Sequence, residues 1–251
     1  MLGQLYRPRG LALETAQAVL EVQEPFACNV ALGCSNACLY CYVSKATHQP
    51  KEVCKTVRLP QKPPVELVKH QLERYYKFHW GVQGVFLSFL TDPFLPQVKH
   101  STRTLIAMLM YDHAIRVATL SKLATSHFSG VRQGMTIVSL SDKFWKRYEP
   151  NTTHPQARLQ LLRTAKENCD YVWISMEPFP TSAIYPQKLE NLLEEMKFVD
   201  FILFGKWNYD KRANDMQAKE EYRQIVPQFV DWCKSNNIRY LVKSETLQFI
   251  K

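Results

Sequence analysis

Long hydrophobic runs are missing from this 251-residue sequence. No window approaches the roughly eighteen uninterrupted apolar residues that a transmembrane helix requires, so we predict no membrane span. The first twenty residues also lack a long apolar core followed by a small-residue cleavage site, and they do not resemble a secretory signal. Internal repeats and low-complexity stretches are absent as well. These absences favour a single globular protein over a membrane, secreted or repeat protein.

A disulfide framework is also missing. The chain has seven cysteines, an odd number, and three of them lie within eight residues of one another. We therefore expect a reducing, cytoplasmic environment, which an oxygen-sensitive metal cluster would also require.

Basic residues outnumber acidic ones, and the formal net charge is +9. Lysine and arginine are spread along the chain, with local concentrations at residues 7–9, 143–147 and 206–212. A positive surface binds polyanions because binding releases their counterions, so a nucleic acid or nucleotide is a possible substrate or partner. A basic surface that only maintains solubility explains the same charge. The sequence leaves both interpretations open.

Short apolar segments alternate with longer helical patterns. The predicted strands are residues 26–32, 84–90, 115–120, 135–140, 171–176, 201–204 and 239–243. The predicted helices are residues 65–79, 98–111, 154–168, 188–198 and 214–235, the last interrupted at Pro227. This alternation predicts an α/β fold with a parallel sheet that winds into a closed or partly closed barrel. The length fits a single domain, with residues 1–25 as an N-terminal extension packed on the barrel and residues 26–251 as the barrel.

Polar side chains follow the predicted strands, at the barrel end where functional residues lie in parallel α/β barrels. They include Thr91 and Asp92, Lys122, Ser139 and Ser141, and Glu177. Each has an ordinary structural explanation, such as a turn or a buried ion pair. Their joint placement predicts a polar site above an apolar barrel.

Cys34, Cys38 and Cys41 form the most informative motif of the chain. Three thiolates can hold three irons of a four-iron cluster and leave the fourth iron open to another ligand. In a helical or near-helical turn, residues three and four apart share a face, which would bring the three thiols together. Gly33 suits a chain that must turn sharply before them, because glycine tolerates a positive φ.

A structural zinc site is the alternative interpretation of the same cysteines. Zinc needs four ligands in a closed site, and the chain has no second cysteine pair. A single residue among His48, Cys54 and Cys28 would have to supply the fourth ligand.

The cysteine spacing, with the aromatic Tyr40 before the third cysteine, resembles the signature of the radical S-adenosylmethionine (radical SAM) superfamily. Together with Thr91-Asp92-Pro93-Phe94 after the second strand and Lys122 after the third, it is similar to the spore photoproduct lyase-like branch. The resemblance covers about residues 26–243. It implies a partial (β/α)6 TIM-like barrel of the radical SAM type, open at one side.

The resemblance also implies cofactors and residue roles. The three cysteines would bind a [4Fe-4S] cluster, whose fourth iron would chelate the amino and carboxylate groups of S-adenosylmethionine. The resemblance implies cofactor-binding roles for Thr91 and Asp92 at the amino-acid part, for Tyr40 near the adenine, and for Lys122 with either Ser139 or Ser141. Glu177 is a further candidate cofactor-binding residue because it lies at a predicted strand end.

One position departs from the branch. Spore photoproduct lyase has a hydrogen-donating cysteine near the end of the second strand, where this chain has Ser88. A serine O–H is a poor hydrogen-atom donor, so repair of a DNA photolesion by that mechanism is not expected. Tyr42 and Cys54 are the candidate catalytic residues: Tyr42 as a hydrogen-atom relay or an aromatic wall, and Cys54 as a spare reactive thiol.

The expected activity is that of a radical SAM enzyme that takes one electron from an external reductant. The reduced cluster would cleave S-adenosylmethionine to a 5′-deoxyadenosyl radical, which abstracts hydrogen from a substrate such as a nucleobase or nucleic acid. Residues 42–64 and 206–216 are predicted lids, with Trp207 and Tyr209 as either a base-stacking surface or a hydrophobic plug. The competing hypothesis is a zinc-stabilised, basic nucleic-acid-binding or adaptor protein without catalysis.

Overall fold

A single mixed sheet organises the protein, for which the computed structural model describes residues 2–77, 81–124, 128–168 and 170–251. The sheet has eight strands in chain order. They are β1 (Leu5–Tyr6), β2 (Phe26–Cys28), β3 (Gly84–Leu87), β4 (Arg116–Ser121), β5 (Arg132–Thr136), β6 (Val172–Phe179), β7 (Phe201–Lys206) and β8 (Arg239–Val242). β1 pairs antiparallel with β2, and β2 to β8 are parallel throughout. β1 and β8 form the two edges, so the barrel is open, as predicted, with seven parallel strands rather than six.

Ten α-helices lie in the described residues. They are α1 (Gly10–Leu20), α2 (Val43–Ala46), α3 (Lys51–Lys55), α4 (Pro64–Lys77), α5 (Lys99–Ala107), α6 (Asp142–Tyr148), α7 (Pro155–Glu167), α8 (Leu189–Glu194), α9 (Met216–Ser235) and α10 (Ser244–Ile250). A π-helical turn, Met108–Asp112, extends α5, and a 3-10 turn covers Lys211–Ala213. Between β4 and β5 the described residues contain no helix. None of the described helices is long and apolar enough to cross a bilayer.

The predicted alternation of strands and helices is confirmed, although several elements begin or end at other residues than expected. β2 stops at Cys28 and β5 at Thr136, each four residues earlier than expected. The last long helix, α9, runs through Pro227 without a break. Pro227 lies on the exposed side of α9. The predicted helix end at His79 lies outside the described residues.

The N-terminal residues are part of the barrel itself. β1 extends the sheet beside β2, and α1 packs against the inner face of the strands. Its buried residues Ala16, Val19 and Leu20 join inward-facing side chains, among them Phe86, Ala118, Trp173 and Leu203. Because side chains alternate along a strand, these residues share a face with Leu120 and Ser175, which line the cavity described below. Within the predicted extension of residues 1–25, α1 therefore fills the inside of the open barrel.

Three arginines hold the C-terminal end of α1 at the bottom of the barrel. Arg116 and Arg132, each the first residue of its strand, donate to the carbonyl oxygens of Leu20 and Val19. Arg239, at the start of β8, pairs with Glu21, which also accepts from Arg132. Cationic groups at a helix C-terminus satisfy free carbonyls and oppose the negative end of the helix dipole. The opposite end of α1 consequently points toward the C-terminal ends of the strands.

Candidate functional site

A cavity of about 320 Å³ opens at the C-terminal ends of the parallel strands. Its walls come from the cysteine loop after β2, from residues that end or follow β3 to β8, and from Leu11, Ala12 and Thr15 of α1. Cys34, Cys38 and Cys41 all line this cavity, as do Tyr40, Thr91, Asp92, Lys122 and Glu177. The structure thus brings together most of the residues that the sequence singled out, at the end of the barrel where they were expected.

The cysteine loop consists of successive turns and not of the helical turn we expected. Gly33 begins it with φ +85°, and a Cβ there would lie 2.1 Å from the carbonyl oxygen of Thr56. The N–H of Cys34 donates to the Cys54 carbonyl oxygen at 2.8 Å. The loop is therefore shaped by contacts with the following segment, which the spacing of the cysteines does not reveal.

Asp92 fastens this loop to the ends of β3 and β4. Its two carboxylate oxygens accept four hydrogen bonds: from Asn36 Nδ2 at 3.0 Å, Ser121 Oγ at 2.8 Å, Lys122 N at 2.8 Å and Phe94 N at 3.0 Å. Burial raises the pKa of Asp92, and these four donors act against that rise. Through these four hydrogen bonds Asp92 positions the cysteine loop, and its contact with a cofactor stays a prediction. Thr91 also holds the cysteine loop, because its hydroxyl donates to the Gly33 carbonyl oxygen at 2.6 Å.

Glu149 is a buried carboxylate that the sequence analysis missed. It accepts hydrogen bonds from the Tyr40 hydroxyl and the Arg158 guanidinium, and Lys122 Nζ lies 4.0 Å from it. Lys122 Nζ also lies 4.6 Å from the centre of the Tyr40 ring. Burial acts to lower the pKa of Lys122, but the charges of Cys38 and Glu149 raise it overall. Glu149 follows a helix and not a strand, so the strand-end rule could not find it.

The segment around Glu149 contacts the cysteine loop at three points. The N–H of Leu39 donates to the Tyr148 carbonyl oxygen at 3.0 Å, and Asn151 Nδ2 donates to the Ser35 carbonyl oxygen at 3.2 Å. The Tyr40–Glu149 hydrogen bond is the third contact. The end of α6 and the turn after it therefore support the cysteine loop.

Glu177 lies across the cavity from this support, at the end of β6. Its carboxylate is 4.0 Å from Lys243 Nζ, and burial raises the pKa of Glu177 while Lys243 opposes that rise. Lys243 in turn donates to the Leu11 carbonyl oxygen at 2.7 Å and to Thr15 Oγ1. Gly205 leaves room for Glu177, because a Cβ at that position would lie 2.8 Å from Glu177 Cγ.

Ser139 and Ser141 do not line the cavity. Because β5 ends at Thr136, both serines lie in the connection to α6, where Ser139 Oγ accepts from the Ser141 N–H and Ser141 Oγ contacts the Tyr185 hydroxyl at 2.5 Å. Thr136 at the end of β5 and Ser175 on β6 are the hydroxyl groups that face the cavity instead. The prediction missed Thr136 because it placed the end of β5 four residues too late.

Tyr42 and Cys54, the candidate catalytic residues, both line the cavity. The Tyr42 hydroxyl donates to the Phe89 carbonyl oxygen at 2.5 Å, and the Cys54 thiol lies 3.8 Å from the Thr47 hydroxyl. Of the two aromatic residues after β7, Tyr209 is exposed and lines the cavity. Trp207 is buried against Tyr40, with 5.1 Å between the ring centres, and is a hydrophobic plug rather than a stacking surface.

Four cysteines line the cavity: Cys34, Cys38, Cys41 and Cys54. Among the described residues, no group of three or more His, Cys, Asp and Glu side chains is arranged to hold a metal ion, so neither a zinc quartet nor the three-cysteine set is preassembled there. The thiols are nonetheless close enough for the charges of Cys34 and Cys41 to raise the pKa of Cys38, which burial, the largest cause, raises to about 12. Burial likewise raises the pKa of Cys34 to about 11. Metal binding must therefore displace the thiol protons.

No family model matches the chain. A curated relative, named Uncharacterized protein ORF301, from Acidianus two-tailed virus, is 25% identical over 213 residues, which cover 77% of this chain and 70% of the relative.

The solved structures share the fold at low sequence identity. Spore photoproduct lyase complexed with dinucleoside spore photoproduct superposes with a TM-score of 0.63 at 15% identity, covering 87% of this chain and 76% of that one. SuiB from Streptococcus suis, bound to S-adenosylmethionine, gives a TM-score of 0.61 at 13% identity over 87% of this chain and 47% of SuiB. The chain therefore has the partial-barrel fold of the radical SAM type that its cysteine motif predicted.

Proposed function

We propose that this protein is a radical SAM enzyme. The observation that carries the proposal is the convergence of Cys34, Cys38 and Cys41 on one cavity at the C-terminal end of a barrel with this fold. The three cysteines would hold a [4Fe-4S] cluster and leave one iron free for S-adenosylmethionine. When bound, the cluster supplies the electron that cleaves the sulfonium to a 5′-deoxyadenosyl radical.

The surrounding residues orient these groups and exclude water. Asp92 and Glu149 hold the cysteine loop in place, the first from the strand ends and the second from α6. Lys122 places a positive charge beside Cys38, which favours the thiolate form and offsets the negative charge of the bound cluster. Thr136, Ser175 and Glu177 offer hydroxyl and carboxylate oxygens to the hydroxyl groups of a bound nucleoside.

A nucleotide is the substrate class that the cavity favours. Tyr42 and Tyr209 are exposed aromatic residues on the cavity wall, where a base can stack. Lys51 and Lys55 of α3 line the same cavity and supply charge for phosphate. Tyr42 and Cys54 remain the candidate hydrogen-atom donors, because both carry an O–H or S–H bond at this wall.

Anaerobic reconstitution with iron and sulfide, followed by reduction in the presence of S-adenosylmethionine, tests the proposal. We expect about four irons per chain, a visible absorbance band and formation of 5′-deoxyadenosine. Cys38→Ala should lose all three. Cys233→Ala is the matched control, because Cys233 is buried in α9 away from the cavity and should leave all three unchanged.

The zinc hypothesis makes the opposite predictions. It requires one zinc per chain after anaerobic purification, no visible absorbance and no 5′-deoxyadenosine under any reductant. If these were observed, the proposal would be wrong. The substrate class has a separate test. If 5′-deoxyadenosine is formed, transfer of deuterium into it from labelled oligonucleotides would identify a nucleic acid as the substrate.

A further inference from the structure

Glu177 differs from the other carboxylates that line the cavity. Asp92 accepts four hydrogen bonds, and Glu245 accepts one from Asn208 Nδ2 at 2.6 Å. In the part of the chain that the structure describes, no N–H or O–H group donates to the Glu177 carboxylate. Its side chain lines the cavity with 28% of its surface accessible. Both carboxylate oxygens are therefore free to accept hydrogen bonds from a ligand.

The position of Glu177 is nevertheless fixed by its neighbours. Gly205 on β7 lies against it, since a Cβ there would be 2.8 Å from Glu177 Cγ. Lys243 Nζ lies 4.0 Å from the carboxylate and is itself held by the Leu11 carbonyl oxygen at 2.7 Å. A carboxylate that is placed by packing but receives no hydrogen bond is a preorganised acceptor for a ligand.

Two tyrosines, Tyr42 and Tyr209, line the cavity near this acceptor. The Tyr42 hydroxyl donates to the Phe89 carbonyl oxygen at 2.5 Å, which holds the ring at the end of β3. Burial of this hydroxyl raises the pKa of Tyr42, and the charges of Cys41 and Glu177 add to that rise. Tyr209 adds to it as well. The two aromatic rings and the Glu177 carboxylate therefore share one region of the cavity, where a base can stack.

The charge at the cavity mouth decides which kind of ligand can reach Glu177. Lys51 and Lys55 are exposed and line the cavity, and their spacing of four residues places them on one face of α3. These two cations repel an amine or guanidinium side chain and attract a phosphate. The ligand that suits both parts carries negative charge at the mouth and neutral N–H donors beside the carboxylate, as a nucleotide does.

We propose that Glu177 is the specificity-determining residue of the substrate site and that it selects a guanine base. Among the four standard bases, guanine alone presents two adjacent N–H donors on its pairing edge, at N1 and N2, and a carboxylate can accept both at once. Thymine presents one donor between two carbonyl oxygens that a carboxylate repels. Adenine and cytosine present an amino group beside a ring nitrogen that is itself an acceptor. The inference rests on the proposed function, whose substrate class it narrows.

A ribose is the other group that can donate two hydrogen bonds to a carboxylate, through its 2′ and 3′ hydroxyls. The tyrosines favour the base, because stacking on Tyr42 or Tyr209 requires a flat ring. Thr136 and Ser175 line the same cavity and offer their hydroxyls to a sugar. The two readings differ in a measurable way. A ribose on Glu177 predicts tighter binding of RNA than of DNA, whereas a guanine on Glu177 predicts a preference that is independent of the sugar.

Fluorescence anisotropy with labelled pentanucleotides tests the proposal on the full chain, reconstituted anaerobically. The probes carry one central guanine or hypoxanthine between pyrimidines, in both the deoxy and the ribo form; hypoxanthine differs from guanine only in lacking the N2 amino group. We expect wild type to bind the guanine probe about tenfold more tightly than the hypoxanthine probe. Glu177→Gln should reduce this ratio below about twofold, because an amide offers one acceptor. Glu190→Gln, which alters an exposed carboxylate of α8 outside the cavity, should leave the ratio unchanged.

Equal binding of the guanine and hypoxanthine probes by wild type would overturn the inference, and this comparison needs no variant. A guanine preference that persists in Glu177→Gln would also overturn it, and so would a preference for the ribo form that Glu177→Gln abolishes. Formation of 5′-deoxyadenosine after reduction by dithionite, measured on the same preparation, is a separate result. Its absence would count against the proposed enzyme, while the base preference would still decide the role of Glu177.

Discussion

The indole of Trp173 lies directly over Gly134 on the inner face of the barrel. The two residues pair across β5 and β6, and a Cβ on Gly134 would lie 2.1 Å from Trp173 Cε2. Trp173 is fully buried and packs against the same inward-facing cluster as α1. The largest side chain inside the barrel therefore depends on the absence of a side chain on the neighbouring strand.

Gly134→Ala should destabilise the fold strongly. The new methyl group would collide with a buried ring that has no room to move, and overpacking of this kind costs about 1–3 kcal/mol or more. Chemical denaturation should show the loss as a lower midpoint. Gly81→Ala is the control, because a Cβ at Gly81 has no atom within 4 Å, and its change should stay within about 0.5 kcal/mol. Equal stability of the two variants would contradict the packing described.

Glu149→Ala tests the buried ion pair behind the cysteine loop. Arg158 has no accessible side-chain surface and would keep its charge without a carboxylate partner, so we expect a loss of about 3–5 kcal/mol in the free energy of unfolding. Glu220→Ala is the matched control, since Glu220 pairs with Arg223 at 3.4 Å on the surface and should cost under about 1 kcal/mol. A near-neutral result for Glu149→Ala would show that Arg158 finds another partner.

The architecture and the site residues at strand ends could be predicted from the sequence, because both follow from periodic patterns. The βα alternation placed Thr91, Lys122 and Glu177 at strand ends, and the structure brings them to one cavity. Thr136 was missed because a serine-containing continuation of its strand looked equally extended. Strand ends are set by hydrogen bonding to neighbouring strands, which a single sequence does not display.

Two supports of the site, Glu149 and α1, could not be predicted, for a different reason. Glu149 and α1 act through contacts between residues far apart in the chain, such as Glu149 with Tyr40 and Lys243 with Thr15. No local pattern marks such a partner. An acidic residue after a short helix looks like any solvated carboxylate, and an apolar N-terminal helix looks the same whether it lies inside the barrel or outside it.

Arg132→Ala should loosen α1 from the barrel. The side chain of Arg132 is 12% exposed and donates to the Val19 carbonyl oxygen at 2.6 Å as well as pairing with Glu21. We expect a loss of about 1.5–3 kcal/mol in the free energy of unfolding, typical of a charged hydrogen bond to a buried acceptor. Arg163→Ala, which removes an exposed pair with Glu195 and a surface carbonyl contact, should cost under about 1 kcal/mol. Faster amide exchange within α1, seen only in Arg132→Ala, would identify the helix that is released.

Gly33→Ala should disrupt the metal site with little effect on the rest of the fold. Gly33 has φ +85°, and a Cβ would lie 2.1 Å from the Thr56 carbonyl oxygen, so the backbone must shift beside Cys34. We expect iron bound after anaerobic reconstitution to fall below about half of the four irons proposed for the wild type. Gly10→Ala separates strain from collision, because Gly10 has φ +54° but no atom within 4 Å of its Cβ position. Gly10→Ala should retain full iron content, and an equal loss of iron in both variants would show that left-handed strain alone, and not the contact with Thr56, accounts for the effect.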